Sequence, residues 1–147
     1  MESPALSGRK GTIMSTHLTE DLQWLVASAL LTASLWIPYI INRMREHGPW
    51  TALHNPNRDQ RPKAAWADRL MWAHANAVEN LVVFAPLVLV VNATGTSSSA
   101  TALAAEVYFF ARAAHVLIYT AGVPVLRTVA FLVGWAAQVA LAWAALG

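Results

Sequence analysis

The chain has 147 residues, of which 56% are apolar and only 12% charged, with seven Trp and a net charge of +2. Soluble domains carry about a quarter charged residues, so the shortfall makes lipid the solvent for much of the surface. Cysteine is absent, which excludes disulfides, thiolate metal sites and a protein thiol nucleophile, and the basic residues gather in one loop instead of forming a nucleic-acid track.

Residues 1–20 are polar and mixed, with Ser3-Pro4, Ser7-Gly8 and Arg9-Lys10, and are expected to be partly disordered. Met14, followed by Ser-Thr-His-Leu-Thr-Glu-Asp, reads as a native start, with residues 1–13 as a tag or an early mis-assigned start. Residues 21–147 are expected to form a single all-α integral membrane domain with spans at about 22–41, 68–91, 100–119 and 125–146. Each is close to the ~20 residues that cross a ~30 Å hydrocarbon core. Thr19, Glu20 and Asp21 supply a cap and first-turn acids to the first span, and Pro38 predicts a kink near its far end.

The loop over residues 42–68 carries Arg43, Arg45, Arg58, Arg61 and Lys63, whereas the connection from Asn92 to Ser99 carries no charge. The positive-inside rule therefore places the long loop in the cytoplasm and both termini on the other side. Gly122-Val123-Pro124 predicts a tight return between the last two spans.

The second span carries a carboxylate and two amides where an ordinary span is greasy. At ideal helical rotation Arg69, Trp72, Ala73, Asn76, Glu79, Asn80 and Val83 fall within about 60° of one line, and His74 faces nearly the opposite way. In the third span Tyr108, Arg112, His115 and Tyr119 share a face. Arg43 ends the first span and Arg127 begins the fourth at the same cytoplasmic level. An intramembrane ionisable group costs roughly 2.5 kcal/mol or more unless protein, water or ligand covers it, so this convergence reads as a polar pocket.

Simpler readings stand beside that one. Asn76 alone serves equally as inter-helix glue, Glu79 with Arg112 as a structural ion pair, and Arg43 and Arg127 as arginines reaching for headgroups. His74 reads as a packing residue and the Trp residues as interface anchors. A proton or ion path along Glu79, His115 and Tyr119 lacks a continuation in the outer half of the membrane.

The combined pattern resembles the MAPEG family, the membrane-associated proteins in eicosanoid and glutathione metabolism that include microsomal glutathione transferases. The resemblance rests on Arg69 with Ala73-His-Ala-Asn76-Ala-Val-Glu79-Asn80, on Arg112-Ala-Ala-His115-Val-Leu-Ile-Tyr119, on Gly122-Val-Pro-Val-Leu-Arg127, and on Arg43-Met-Arg45. It implies a left-handed bundle of four transmembrane helices assembled as a homotrimer, with glutathione or another small thiol held between subunits in the cytoplasmic half. It further implies that Arg127 favours the thiolate, with Arg43, Arg69, Asn76, Glu79, Asn80, Arg112, His115, Tyr119 and Thr128 binding the thiol compound and no metal taking part. The expected activity is thiol transfer, or peroxide reduction, on a lipophilic electrophile entering from membrane lipid. In the eicosanoid synthases and mammalian transferases of that family, arginines occupy the positions of Trp72 and Ala75. Their absence resembles the bacterial branch, which implies a bacterial inner membrane as the location. It predicts weaker glutathione binding or a different thiol, and leaves as the alternative a non-catalytic trimer that holds a lipid or amphiphile in the same groove.

Overall fold

A computed structural model describes residues 18–50, His54 and residues 61–147. The expectations for Met14 and for disorder before residue 18 lie outside the described residues. Among the described residues five helices are delimited, in order: α1 (Glu20–Ser34), α2 (Trp36–His47), α3 (Ala65–Ala93), α4 (Ser99–Ala121) and α5 (Pro124–Leu146). Among the described residues four stretches are long and apolar enough to cross a membrane, α1 and α2 together forming the first at Glu20–His47.

The break between α1 and α2 falls at Leu35, earlier than Pro38 itself. Pro38 has no N–H to offer Ser34 and its ring crowds that carbonyl, so the disturbance appears one turn upstream. Leu35 responds by donating its N–H to the Thr32 carbonyl at 3.3 Å, a tighter turn than the α-helix. At the other end Thr19 makes no capping bond. Its hydroxyl donates instead to the Asn92 side chain at 2.7 Å, tying the start of α1 to the end of α3.

Short connections force consecutive helices antiparallel. Ser98 caps α4 through a reciprocal capping box with Thr101, and Gly122 ends the same helix at φ 83°, a left-handed conformation that glycine adopts without strain. Pro124 then occupies the first turn of α5, where its missing N–H costs nothing. At about 1.5 Å per residue, the 28 residues of the first span and the 29 of α3 are longer than a ~30 Å hydrocarbon core requires. At the long-loop end these two helices are bridged by Glu46, whose carboxylate accepts the backbone N–H groups of Lys63 and Ala64, each at 2.9 Å. That bond places an anion at the N-terminus of α3.

Packing is closest between α4 and α5, and α4 also meets α1 and α3. Gly134 permits this approach: a methyl group there would stand 3.5 Å from the Arg112 Cδ and 3.7 Å from the Ala111 Cβ. One core cluster joins Phe84, Val88, Val91, Ala105, Tyr108, Ala137 and Leu141, with Phe84 and Tyr108 stacked at 3.7 Å between ring centroids. A second joins Leu35, Leu70, Ala73, Ala77 and Val116 nearer the long loop. Small residues at these contacts let helices associate in lipid, where apolar burial between helices contributes little. The outward faces are apolar, with Leu30 at 67% and Val125 at 73% exposure.

Candidate functional site

Three helices present polar side chains to one cavity of about 440 Å³. From α3 come Trp72, Ala75, Asn76 and Glu79, from α4 His115 and Tyr119, and from α5 Arg127, Thr128 and Phe131. The α3 residues recur at i, i+3, i+4 and i+7, so a single stripe of that helix forms one wall. The turn at Gly122 and Val123 sets the last turns of α4 beside the first turns of α5. Consequently the Arg127 guanidinium carbon lies 4.5 Å from the centroid of the Tyr119 ring, an arrangement in which the ring's negative face attracts the cation.

Behind Asn76, Arg112 is only 3% exposed. Its Nη2 donates to the Asn76 Oδ1 at 2.8 Å, while Nε and Nη1 are buried with no hydrogen-bond partner among the described residues. His115 packs edge-on to Tyr119 at 5.6 Å and lies 6.3 Å from Phe131, and its buried Nδ1 likewise finds no partner among the described residues. Glu79 is exposed in the single chain, and among the described residues no ion pair joins it to Arg112. The Thr128 hydroxyl donates to the Pro124 carbonyl at 3.2 Å, a bond that uses its proton and not its acceptor lone pairs.

The structure thus brings Asn76, Glu79, His115, Tyr119, Arg127 and Thr128 to one cavity, with Arg112 held against it through Asn76. Three other residues named from the sequence lie elsewhere. Asn80 turns back along α3 to donate to the Asn76 carbonyl at 2.8 Å, and its own carbonyl accepts from Gln138 at 3.1 Å. Arg69 donates from Nε to the Thr120 carbonyl at 2.8 Å and lines a separate groove. Arg43 lies half-buried on α2, outside the lining of this cavity. His74 meets Tyr39 of α2 through a 2.9 Å hydrogen bond on the opposite side of α3.

Sequence reasoning missed two contributors. Phe131 sits one turn after Arg127, and helical period alone could have placed it on the same wall. Arg61 precedes α3 and stands over Trp72 at 5.3 Å from its ring centroid, a pairing that no sequence spacing announces.

Chemically, the cavity offers one carboxylate, one side-chain amide, a phenol, an imidazole and one guanidinium on its wall. Such a set can hold a zwitterion, with Glu79 for an ammonium and Arg127 for an anion, while Phe131 and Trp72 give apolar surface to a greasy co-reactant. A guanidinium also favours the deprotonated form of any acid placed against it.

A comparison with curated proteins returns no match. The profile of the MAPEG family matches residues 22–147, which covers the last three spans, the first from its third residue on, and every residue of the cavity. The fold, the four apolar helices and this match agree that the protein is a multi-pass integral membrane protein. The chain belongs to the MAPEG family.

Proposed function

We propose that the protein is a membrane-bound transferase that activates glutathione, or a similar small thiol, and joins it through its sulfur to a lipophilic electrophile. One observation carries this reading: Asn76, Glu79, Tyr119 and Arg127 line the same cavity. Glu79 takes the ammonium of the glutamyl part, Asn76 an adjacent polar group, and Arg127 stands beside the sulfur. There the cation lowers the thiol pKa, so a larger share of the compound is thiolate at neutral pH. The thiol proton leaves to water, the sulfur forms a carbon–sulfur bond with an aryl halide, and halide departs with the bonding pair. With a hydroperoxide as electrophile, two thiols give a disulfide while the peroxide becomes an alcohol and water.

The working unit in this proposal is a homotrimer with the long loop in the cytoplasm. Support comes from Glu79, whose side chain is exposed in the isolated chain although α3 lies within the membrane. An acid facing hydrocarbon is costly, and a neighbouring copy covering the cavity mouth removes that cost.

Thermal unfolding in detergent with and without glutathione tests the reading. Ligand at 100 times its dissociation constant adds about 2.7 kcal/mol of stability. A stabilised protein that also conjugates a generic aryl halide supports the proposal, and the absence of both effects at millimolar glutathione overturns it. Trp72 and Ala75 favour a second reading, since they leave Arg127 as the lone cation on the cavity wall. In that reading the cavity holds a lipid or amphiphile without catalysis, and stabilisation by lysolipid but not by glutathione is its signature.

A further inference from the structure

On the other side of the α3–α4 pair lies a groove of about 650 Å³ between the α1–α2 break, the start of α3 and the end of α4. Its walls are apolar, chiefly Leu35, Pro38, Leu70, Val116 and Leu117, and its lining contains one charged residue, Arg69, and no acid. The break upstream of Pro38 opens it, because Ser34 and Leu35 at the break are themselves lining residues. Leu117 is 71% exposed in the single chain, so the groove opens sideways, on a flank of the bundle.

Capping of α4 explains only part of Arg69. The guanidinium has five donors, and one of them, Nε–H, serves the Thr120 carbonyl at 2.8 Å. Neither Nη atom has a hydrogen-bond partner among the described residues, nor is either among their buried unpartnered atoms, so the outer edge of the fork is open to a ligand. Gly122 backs the group from behind: a Cβ there would lie 3.2 Å from both the Cζ and Nε of Arg69. The cation is therefore fixed in position as well as partly unspent. It sits toward the long-loop end of the groove, while Leu35 and Val116 lie deeper in the bundle.

We infer that this groove is a site for one anionic membrane phospholipid, its phosphate on the Nη edge of Arg69 and an acyl chain along Leu35, Leu70, Val116 and Leu117. A planar fork suits two phosphate oxygens, and the order of charge at the interface and apolar surface inward is that of a lipid. A zwitterionic lipid gains less, because its ammonium finds no acid in the lining. Trp66, 40% exposed on the same lining, supplies an amphipathic ring at the headgroup level.

Native mass spectrometry of the delipidated full chain in neutral detergent, with equimolar phosphatidylglycerol and phosphatidylcholine, tests the assignment. One phosphatidylglycerol per chain is expected to be retained, with a preference of about fivefold, the weight of one arginine near a charged headgroup. Arg69→Met is expected to erase the preference, and Arg127→Ala, in the other cavity, to keep it. Leu117→Trp leaves Arg69 and its Thr120 bond in place, fills the groove, and is expected to lose the bound phosphatidylglycerol even where Arg69→Met proves too unstable to study. Equal retention of the two lipids by the wild type, a preference that survives Arg69→Met, or one that survives Leu117→Trp at unchanged stoichiometry overturns the proposal. So does displacement of the lipid by millimolar inorganic phosphate, which would mark a simple anion site.

Discussion

Arg112 spends one hydrogen bond, from Nη2 to Asn76 at 2.8 Å, and buries its remaining two donor nitrogens without partners among the described residues. The amide is thus the support of a buried guanidinium, a heavier duty than the ~0.6 kcal/mol typical of an inter-helix polar contact in a membrane protein. Asn76→Leu strips the cation of that support and is expected to destabilise the protein by about 1.5 to 3 kcal/mol. Arg112→Met with Asn76→Leu removes both partners, and the double variant is expected to be more stable than the sum of the single losses. Unfolding of the three variants in detergent by denaturant gives the coupling, and additivity within error rejects it.

Arg127 packs over Tyr119 at 4.5 Å, a contact worth about 0.5 to 1 kcal/mol at an exposed site. Arg127→Ala is therefore expected to leave the fold intact while lowering conjugation of an aryl halide by about 100-fold or more, the usual loss when one group stabilising a developing anion is removed. The sign of the pH response follows from the same cation. It lowers the thiol pKa in the wild type, so its removal moves the rising limb of the rate profile toward the free-thiol range near about 8.5. A variant profile that rises at the same pH as the wild type rejects the thiolate role.

At the opposite end of the bundle Asp21 is 1% exposed and accepts from the Ser97 hydroxyl at 2.8 Å and from the Thr101 hydroxyl at 3.0 Å. These bonds fasten α1 to the cap of α4. Asp21→Ala leaves the Ser97 hydroxyl without its acceptor, the Thr101 hydroxyl keeping only the Ser98 carbonyl at 2.9 Å, and is expected to cost about 1.5 to 3 kcal/mol. Aryl halide conjugation at a temperature where the variant remains folded is expected to match the wild type, since Asp21 is remote from the cavity lining. Thermal unfolding and the conjugation assay together check this, and an unchanged melting temperature rejects the staple.

Gly122→Ala combines a left-handed backbone, φ 83°, with a new methyl group 3.2 Å from the Arg69 guanidinium. A residue with a side chain pays roughly 1 to 2 kcal/mol in that conformation, and Arg69 must shift as well. The expected loss exceeds that of Gly134→Ala, where the new contacts begin at 3.5 Å and are ordinary van der Waals separations. Parallel melting curves in one detergent rank the two, and equal or reversed losses contradict the account.

Much of the candidate site was legible in the sequence because its signals are local. The spacing of Asn76 and Glu79 on α3, and of His115 and Tyr119 on α4, follows from helical period, and both pairs do line the cavity. Arg69 shows where that logic stops. Seven residues before Asn76, it lies within about 20° of the same helical line, yet its long side chain swings to the end of α4 and a different groove. Asp21 read as a first-turn acid, whereas its partners are Ser97, in the connection before α4, and Thr101, in the first turn of α4.

By itself the sequence determined that four apolar stretches cross the membrane, that a tight turn joins the last two, and that polar residues recur at helical spacing inside them. Length, hydropathy and period are properties of neighbours along the chain, and lipid enforces them helix by helix. Tertiary structure alone decided which of those polar residues meet. The close approach of α4 and α5 at Gly134, the reversal at Gly122 and the reach of each flexible arginine depend on contacts between distant segments. Those contacts set Arg127 over Tyr119, gave Arg112 to Asn76 instead of Glu79, and turned Arg69 away to a groove of its own.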